Sequence, residues 1–289
     1  MASVIGRVSP WRQTAWDWRA AGNFIFGGSG AGLLLIAAIV PGPGYPVQAL
    51  LGMTLVAAGL LCVWAEIGRP WRALNVFRHA QTSWMTREAL VAPLLFAAGA
   101  SAALLGGGFP AWIAAALGLT YCYCQARMLH AGRGIPAWRH GYVVPLMLIT
   151  GCTEGAGWCV ATQVLLDARR ALAWLPWILA ALLVARVLTF AGYRAALARS
   201  GAPRSALTVL RDVHWPLAVL DIGAALAAIG AVIAAVSWIA AIAGVVAVLA
   251  GALLKFTIVV RAAFNQGFTL ARLPDRGSGS TGPAVKPGW

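Results

Sequence analysis

The sequence predicts an all-α integral membrane protein, in which eight transmembrane helices form one bundle and both termini lie on the same side. Three features of the composition support this prediction: 61% of the 289 residues are hydrophobic, 10% are charged, and 14 are Trp. Soluble domains have about 25% charged residues. A soluble globule of this length with so few polar residues could not cover its surface with polar groups. The composition therefore excludes a soluble enzyme, a disordered chain and a disulfide-stapled secreted protein.

The first half of the chain has two long stretches without a charged residue, and each predicts two helices. Residues 20–65 are interrupted at 41–46, which read Pro-Gly-Pro-Gly-Tyr-Pro, and predict the first and second helices. Residues 89–126 are interrupted at 106–110, which read Gly-Gly-Gly-Phe-Pro, and predict the third and fourth. Each helix is close to the ~20 residues that cross a bilayer core.

The second half of the chain predicts four further spans. They cover residues 141–166, 172–193, 216–236 and 239–260, with a turn near Ser237 between the last two. An even number of spans places the two termini on the same side of the membrane. The predicted organisation is a cytoplasmic segment over 1–19, the helical anchor domain over 20–273, and a tail over 274–289.

The basic residues are distributed unevenly between the two sides of this bundle. Of the 22 Lys and Arg residues, 18 lie on the side of the N-terminus, here called the basic side. Only Arg169 and Arg170 lie in a loop on the opposite side. By the positive-inside rule, the basic side is predicted to be cytoplasmic, in the inner membrane of a bacterium. Because the Arg residues lie between apolar runs, membrane topology explains them and no nucleic-acid partner is expected.

The cysteines and histidines are the candidate metal or haem ligands of this sequence. The cysteines are Cys62, Cys122, Cys124, Cys152 and Cys159, and the histidines are His79, His130, His140 and His214. Cys122 and Cys124 point in opposite directions on a helix, and no Cys-x-x-Cys pattern occurs. The histidines lie at or beyond helix ends and offer no facing pair. No haem or iron–sulfur cluster is therefore expected in this chain.

A glycine-rich run occurs inside the first predicted helix. Residues 27–32 read Gly-Gly-Ser-Gly-Ala-Gly, which superficially resembles a phosphate-binding loop. No strand precedes the run, and it lies within an apolar span. Small residues four apart, such as Gly28 and Gly32, allow helices to approach closely in membranes. The run therefore predicts helix packing.

Four ionisable residues lie inside predicted spans, where a charge is costly and often functional. They are Glu154, Arg186, Asp221 and Lys255. One interpretation is that they pair with one another for structural reasons. The other is that they form a proton path or a ligand site.

The loop between the second and third helices is rich in charged and aromatic residues. Glu66 and Glu88 stand at the two helix ends, and four arginines lie between them: Arg69, Arg72, Arg78 and Arg87. One interpretation is interfacial anchoring by Trp and Arg. The other is a polar pocket at the membrane edge. A quinone requires such a place, with an apolar groove for its tail, donors for its carbonyls and an acid for its protons.

Several segments of this loop and its surroundings resemble a known family. Residues 68–72 read Gly-Arg-Pro-Trp-Arg, residues 82–88 read Thr-Ser-Trp-Met-Thr-Arg-Glu, and residues 126–129 read Ala-Arg-Met-Leu before Ile-Pro-Ala-Trp at 135–138. These segments are similar to membrane anchors of the dimethyl-sulfoxide-reductase type, in the wider polysulfide-reductase and NrfD-like group.

The resemblance implies an anchor that holds an iron–sulfur subunit and a molybdenum- or tungsten-pterin catalytic subunit on the membrane. Such anchors exchange electrons with a quinone, either menaquinone or ubiquinone. The family's acidic quinone-site residue corresponds to Glu88, while Glu66 stands where the family has a histidine. Polar residues of the first helix serve some members, which makes Asn23 a further candidate.

Other side chains of the loop complete the predicted quinone site. Arg69 and Arg72 are expected to donate hydrogen bonds to the quinone or to hold Glu66 and Glu88 in place. Arg87, which precedes Glu88, belongs to the same predicted site. Trp71 and Trp84 are expected to pack against the quinone ring. The tail over 274–289 is expected to dock on a partner subunit.

Two segments resemble one branch of the group more closely. Residues 16–24 and 264–268 are similar to anchors of phenylacetyl-CoA:acceptor oxidoreductases, which implies a complex that oxidises phenylacetyl-CoA. The chain shows no redox centre, so no substrate-converting centre is expected in it. Two alternatives remain open at this point: a polytopic small-molecule transporter, and a structural anchor without a quinone site.

Overall fold

The computed structural model describes residues 5–7, 9–40, 42, 44–67, 76–77, 81–166 and 173–270. Within these residues, eight long helices account for most of the chain. In chain order they are α1 (Trp18–Ile39), α2 (Tyr45–Glu66), α3 (Trp84–Leu104), α4 (Phe109–His130), α5 (Val143–Leu165), α6 (Leu175–Arg199), α7 (Arg204–Ile233) and α8 (Ser237–Arg261). A one-turn helix, Pro136–Arg139, lies between α4 and α5.

Seven of these helices are long and apolar enough to cross a membrane. The predicted α-helical, multi-pass membrane protein is thereby confirmed. The helix outside the seven is α4, which has 22 residues and whose second half carries Gln125, Arg127 and His130. These polar residues lower its hydropathy, although the helix packs in the same bundle against α1, α3 and α5.

Several helices extend beyond the apolar stretch that predicted them. Helix α7 begins at Arg204 and runs through Pro216, where the apolar span was predicted to start. Helix α6 continues to Arg199, and α3 begins at Trp84. Charged residues end the stretch that can lie in lipid, but they do not end a helix, because Arg is a good helix former.

The predicted break between the third and fourth helices is a glycine turn. Gly106, Gly107 and Gly108 have φ angles of 70°, 115° and 71°, a left-handed region that favours glycine. Pro110 then occupies the first turn of α4, where its missing N–H costs no helical hydrogen bond. The turn therefore joins α3 and α4 as neighbours, and the two helices pack along their length.

Helix α1 lies at the centre of the bundle and contacts α2, α4 and α5. The predicted role of its glycines in packing is confirmed, because a Cβ added at Gly32 would collide with the carbonyl oxygen of Gly151 on α5. Gly155 of α5 faces Gly32 in the same way, and Gly157 of α5 faces Gly244 of α8. Close backbone contact therefore connects α1, α5 and α8.

A short two-stranded ribbon joins the two ends of the described chain. Strand β1 (Ile5–Arg7) pairs antiparallel with β2 (Phe268–Leu270), with Gly6 opposite Thr269. The pairing continues toward the bundle, where the N–H of Trp11 donates to Oδ1 of Asn265 at 2.9 Å. Apart from this ribbon, the described regular structure is helical.

Candidate functional site

An apolar groove runs along the outer surface of the bundle between α2 and α3. Its volume is about 780 Å³. Exposed apolar side chains form much of its wall, including Leu61 and Trp64 of α2. The residues lining it are Ala57, Leu60, Leu61, Val63, Trp64, Ile67, Val76, Met85, Glu88, Ala89 and Phe96. Glu88 is the ionisable residue among them.

Glu88 lies one turn inside α3, at the end of that helix nearest the basic side. The helix begins after Ser83, whose Oγ accepts a hydrogen bond from the N–H of Thr86 at 3.3 Å. This N-cap fixes the start of the helix. It directs Glu88 inward, where 3% of the residue is exposed. The carboxyl group is therefore enclosed by the bundle on one side and borders the groove on the other.

Two buried amides hold the carboxyl group of Glu88. Asn23 of α1 donates from Nδ2 to Glu88 Oε1 at 3.0 Å, and Gln125 of α4 donates from Nε2 to the same oxygen at 3.0 Å. Tyr121 of α4 donates from its hydroxyl to Asn23 Oδ1 at 3.4 Å. Asn23, Glu88, Tyr121 and Gln125 are called the Glu88 cluster below. It joins three helices at the inner wall of the groove.

A local change in helix geometry makes room for this cluster. Residues Asn23–Gly27 of α1 form a π-helical turn, a feature that is frequent at functional sites. Within this turn the carbonyl oxygen of Asn23 accepts from Gln125 Nε2 at 2.9 Å. A Cβ at Gly27 would lie 2.8 Å from the same nitrogen, so only glycine leaves the amide this position.

The sequence interpretation found Glu88 and Asn23 but missed Gln125 and Tyr121. These two residues are four apart on α4 and therefore lie on one face of that helix. Gln125 is the single amide of an uncharged predicted span and lies one turn from Tyr121, so the sequence did mark this position. Its contact with Glu88 follows only from the packing of α4 against α1 and α3.

Glu66, the other predicted acid, lies apart from the Glu88 cluster. It is half-buried at the end of α2, near Asp17 and Arg19. Arg19 donates from Nη1 to the carbonyl oxygen of Ala65 at 2.9 Å, which ties the start of α1 to the end of α2. The side-chain hydrogen bond from Arg19 lowers the pKa of Asp17 below its ordinary value. Three further predicted site residues, Arg69, Trp71 and Arg72, lie outside the described residues.

Trp84 lies between two arginines and does not line the groove. The guanidinium carbons of Arg87 and Arg127 are 4.1 and 4.7 Å from the ring centroid of Trp84. Tyr123 contacts the same ring edge-on at 5.6 Å. Arg87 also donates to the carbonyl oxygen of Gln81 at 2.8 Å. Met85, the next residue of α3, lines the groove, whereas the sequence predicted that Trp84 would pack against the quinone ring.

A second group of buried polar residues lies deeper in the bundle. Lys255 of α8 donates from Nζ to Glu154 Oε2 of α5 at 2.5 Å, and Ser29 of α1 donates to the same oxygen at 2.7 Å. Arg186 of α6 donates to both carboxylate oxygens of Asp221 of α7, at 3.0 and 2.5 Å. The four charged residues are at most 3% exposed. The four residues therefore pair with one another, as one of the two sequence interpretations had it.

A smaller basic pocket of about 240 Å³ lies at the ends of α4 and α6. His130, Arg133, Arg139 and His140 contribute to its lining. Burial lowers the pKa of His140, and the charges of Arg199 and His130 lower it further. Among the described residues, no group of three or more His, Cys, Asp or Glu side chains converges as a metal site would require.

Fold and site together define a polytopic α-helical membrane protein with an outer apolar groove that ends at a buried, amide-held carboxyl group. In comparisons with known proteins, the sequence matches no protein-family model and no curated protein.

Proposed function

We propose that this chain is the membrane-anchor and quinone-reactive subunit of a multi-subunit molybdenum- or tungsten-pterin oxidoreductase. It passes electrons between an iron–sulfur partner and the quinone pool, which is menaquinone or ubiquinone. The resemblance at 16–24 and 264–268 favours a complex that oxidises phenylacetyl-CoA. The observation that carries the proposal is the apolar groove that ends at Glu88.

The groove has the chemistry that a quinone requires. Its apolar wall suits an isoprenoid tail, and it opens at the outer surface of the bundle, where lipid-soluble ligands enter. Reduction or oxidation of a quinone moves two electrons and two protons, so a titratable group must stand beside the ring. Glu88 meets this requirement, and the amides of Asn23 and Gln125 hold its carboxyl group in one orientation.

We propose that this site lies close to the partner subunits. We propose eight spans, with α4 as the span added to the seven apolar helices, and both termini in the bacterial cytoplasm. The antiparallel pairing of Ile5–Arg7 with Phe268–Leu270 supports termini on one side. The excess of Arg and Lys on the basic side supports the cytoplasmic orientation. Glu88 then lies near the face on which an iron–sulfur subunit and a pterin subunit dock.

The Glu88→Gln variant tests the proposal, because it keeps the shape of the side chain and removes its titration. The complex should still assemble and react with a soluble dye, while quinone-linked turnover falls by about 10-fold or more. Asp212→Asn is the matched control, since Asp212 is an exposed acid on α7, and it should keep turnover within about twofold. Unchanged quinone-linked turnover in Glu88→Gln would show that Glu88 only supports the fold, as expected for a structural anchor without a quinone site.

A small-molecule transporter is the second candidate, because buried ion pairs such as Glu154–Lys255 often line transport pathways. Purification of the chain from its native membrane separates the two classes. An anchor brings an iron–sulfur subunit with it in a fixed ratio, whereas a transporter purifies without one.

A further inference from the structure

We infer that the basic pocket at the ends of α4 and α6 binds the headgroup of an anionic phospholipid, whose acyl chains lie along the outer surface of α6. This lipid site is separate from the proposed quinone site. None of the residues that line the pocket belongs to the Glu88 cluster or lines the groove between α2 and α3. The failure of either proposal therefore leaves the other intact.

The pocket gathers positive charge that the described part of the chain does not balance. Arg133 and Arg139 line it together with His130 and His140. Among the described residues, no Asp or Glu forms an ion pair with any of these four side chains. Burial lowers the pKa of His140, and the nearby positive charge of Arg199 lowers it further. The pocket therefore offers an anion several cations, of which the arginines have donors that match the oxygens of a phosphate.

The wall of the pocket is held in place by hydrogen bonds. The one-turn helix Pro136–Arg139 forms part of this wall, and Tyr193 of α6 donates from its hydroxyl to the carbonyl oxygen of Ala137 at 2.8 Å. Arg139 donates from Nη1 to the carbonyl oxygen of Arg133 at 3.3 Å, which places its guanidinium against the turn that carries Arg133. A pocket that is ordered before binding loses little conformational entropy when a ligand enters.

His140 presents a hydrogen-bond donor in its neutral form. The N–H of Tyr142 donates to Nδ1 of His140 at 3.3 Å, so the neutral ring carries its proton on Nε2. The ring also contacts the rings of Tyr142 and Tyr193, with centroid separations of 5.8 and 6.3 Å. These contacts fix the orientation of the imidazole, and Nε2 is then its donor for a phosphate oxygen.

An exposed apolar surface leads from the pocket along the outside of the bundle. Tyr142, which contacts His140, is 45% exposed, and a Cβ added at Gly192 of α6 would lie 3.3 Å from its ring. Leu188 and Val184 follow one and two turns deeper on the same face of α6 and are 67% and 48% exposed. Because Tyr is enriched where a membrane meets water, the pocket lies at the level of the headgroups and this face of α6 at the level of the acyl chains.

A phospholipid is the ligand that uses both features, because its charged headgroup and its acyl chains are joined in one molecule. The pocket has a volume of about 240 Å³, which is less than the about 300–1,000 Å³ of pockets that enclose a whole drug-sized ligand. It therefore holds a headgroup, while the acyl chains remain outside on α6. Basic pockets between transmembrane helices are recurrent sites for anionic lipid headgroups. A zwitterionic headgroup fits less well, because the arginines repel its ammonium group.

The test titrates the complete chain, purified in detergent with any subunits that accompany it, with phosphatidylglycerol. Native mass spectrometry measures the bound lipid. Phosphatidylcholine with the same acyl chains is the comparison ligand, and it should bind at least about 10-fold more weakly, because it keeps the phosphate and adds a positive charge. Arg133→Gln/Arg139→Gln should weaken phosphatidylglycerol binding about 25-fold, since each Arg beside an anionic lipid contributes about fivefold.

The matched control is Arg211→Gln/Arg261→Gln, which removes two exposed arginines outside the pocket. It should keep the affinity for phosphatidylglycerol within about twofold, because exposed charges at a distance are screened. Leu188→Asn places a polar amide on the apolar face of α6 and leaves the pocket intact. It should weaken phosphatidylglycerol binding several-fold, because the acyl chains lose an apolar contact.

Equal affinities for the two lipids would overturn the lipid site, and so would wild-type phosphatidylglycerol binding in Arg133→Gln/Arg139→Gln. Inorganic phosphate that displaces the lipid at an equal concentration would assign the pocket to a soluble anion instead. If the double variant keeps its lipid but loses an accompanying subunit, the pocket docks a partner protein and the lipid assignment is wrong.

Discussion

Two buried glutamates at different depths of the bundle show how their partners set the role of a carboxyl group. Glu88 receives hydrogen bonds from the neutral amides of Asn23 and Gln125 and borders an open groove. Glu154 is fully enclosed and pairs with the ammonium group of Lys255. Helix α1 reaches both sites, the first through Asn23 and the second through Ser29.

The difference lies in what each site tolerates when the charge changes. Neutral donors accommodate both a carboxylate and a carboxylic acid, so Glu88 is suited to exchange protons with a ligand. A cation requires a compensating anion in a low-dielectric interior, so a proton at Glu154 must be matched by a change at Lys255. The shallow site is therefore suited to exchange a proton with a ligand, and the deep site to hold a fixed ion pair.

The largest effect that this comparison predicts is on stability at the deep site. Lys255→Met leaves the Glu154 carboxylate without its ammonium partner and should lower the free energy of unfolding by about 3–5 kcal/mol. The Glu154→Gln/Lys255→Met double variant should recover most of this loss, because no unpaired charge remains. Unfolding curves in detergent measure both values. If the single and double variants lose the same free energy of unfolding, the unpaired Glu154 carboxylate is not the cause of the loss.

The close approach of α1 to α5, which positions both sites, gives the next largest effect. Gly32→Ala places a methyl group against the backbone of Gly151 and should destabilise the bundle by about 1–3 kcal/mol. Gly230→Ala on α7 is the control, because nothing lies within 4 Å of a Cβ there. The difference between their unfolding midpoints is the measurement, and similar midpoints would argue against a tight α1–α5 contact.

At the shallow site, Gln125→Leu removes a donor from the Glu88 carboxyl group. Glu88 Oε1 keeps its donor from Asn23, so the variant should lose about 1 kcal/mol for each of the two hydrogen bonds that Gln125 donates, to Glu88 and to the carbonyl oxygen of Asn23. The proposed quinone-linked turnover should also fall, by about 10-fold, since only one of the two donors that orient Glu88 remains. Gln81→Leu, at an exposed position, is the control for removing an amide. If both variants turn over quinone equally well, Gln125 does not position Glu88.

The smallest effect is expected at the edge of the shallow site. Trp84→Leu removes two cation–π contacts, with Arg87 and Arg127, each worth about 0.5–1 kcal/mol. The KM for quinone should stay within about twofold, because Trp84 does not line the groove. Met85→Ala, which removes a lining side chain, should raise it several-fold. A larger rise in KM for Trp84→Leu would restore the predicted contact between Trp84 and the quinone ring.

The positions of the helices followed from local features of the sequence. Charge-free stretches as long as a bilayer is thick predicted the spans, and the glycines at 106–108 predicted the turn between α3 and α4. The helix ends were less accurate, as at Arg204, because helical hydrogen bonding continues where hydropathy falls. The ribbon of Ile5–Arg7 with Phe268–Leu270 was missed, since three-residue strands carry little local signal and their partners lie at opposite ends of the chain.

By itself, the sequence determined a helical membrane protein, an excess of basic residues on one predicted side, and the ionisable residues that a bilayer interior makes costly. These properties depend on composition and on spacing along one helix. Only the tertiary structure decided that Glu88 meets Asn23 and Gln125, that Glu154 pairs with Lys255, and that the groove follows α2 and α3. Each of these features joins residues of separate helices, so it depends on how the helices pack, and the glycines where α1, α5 and α8 meet allow their backbones to approach closely.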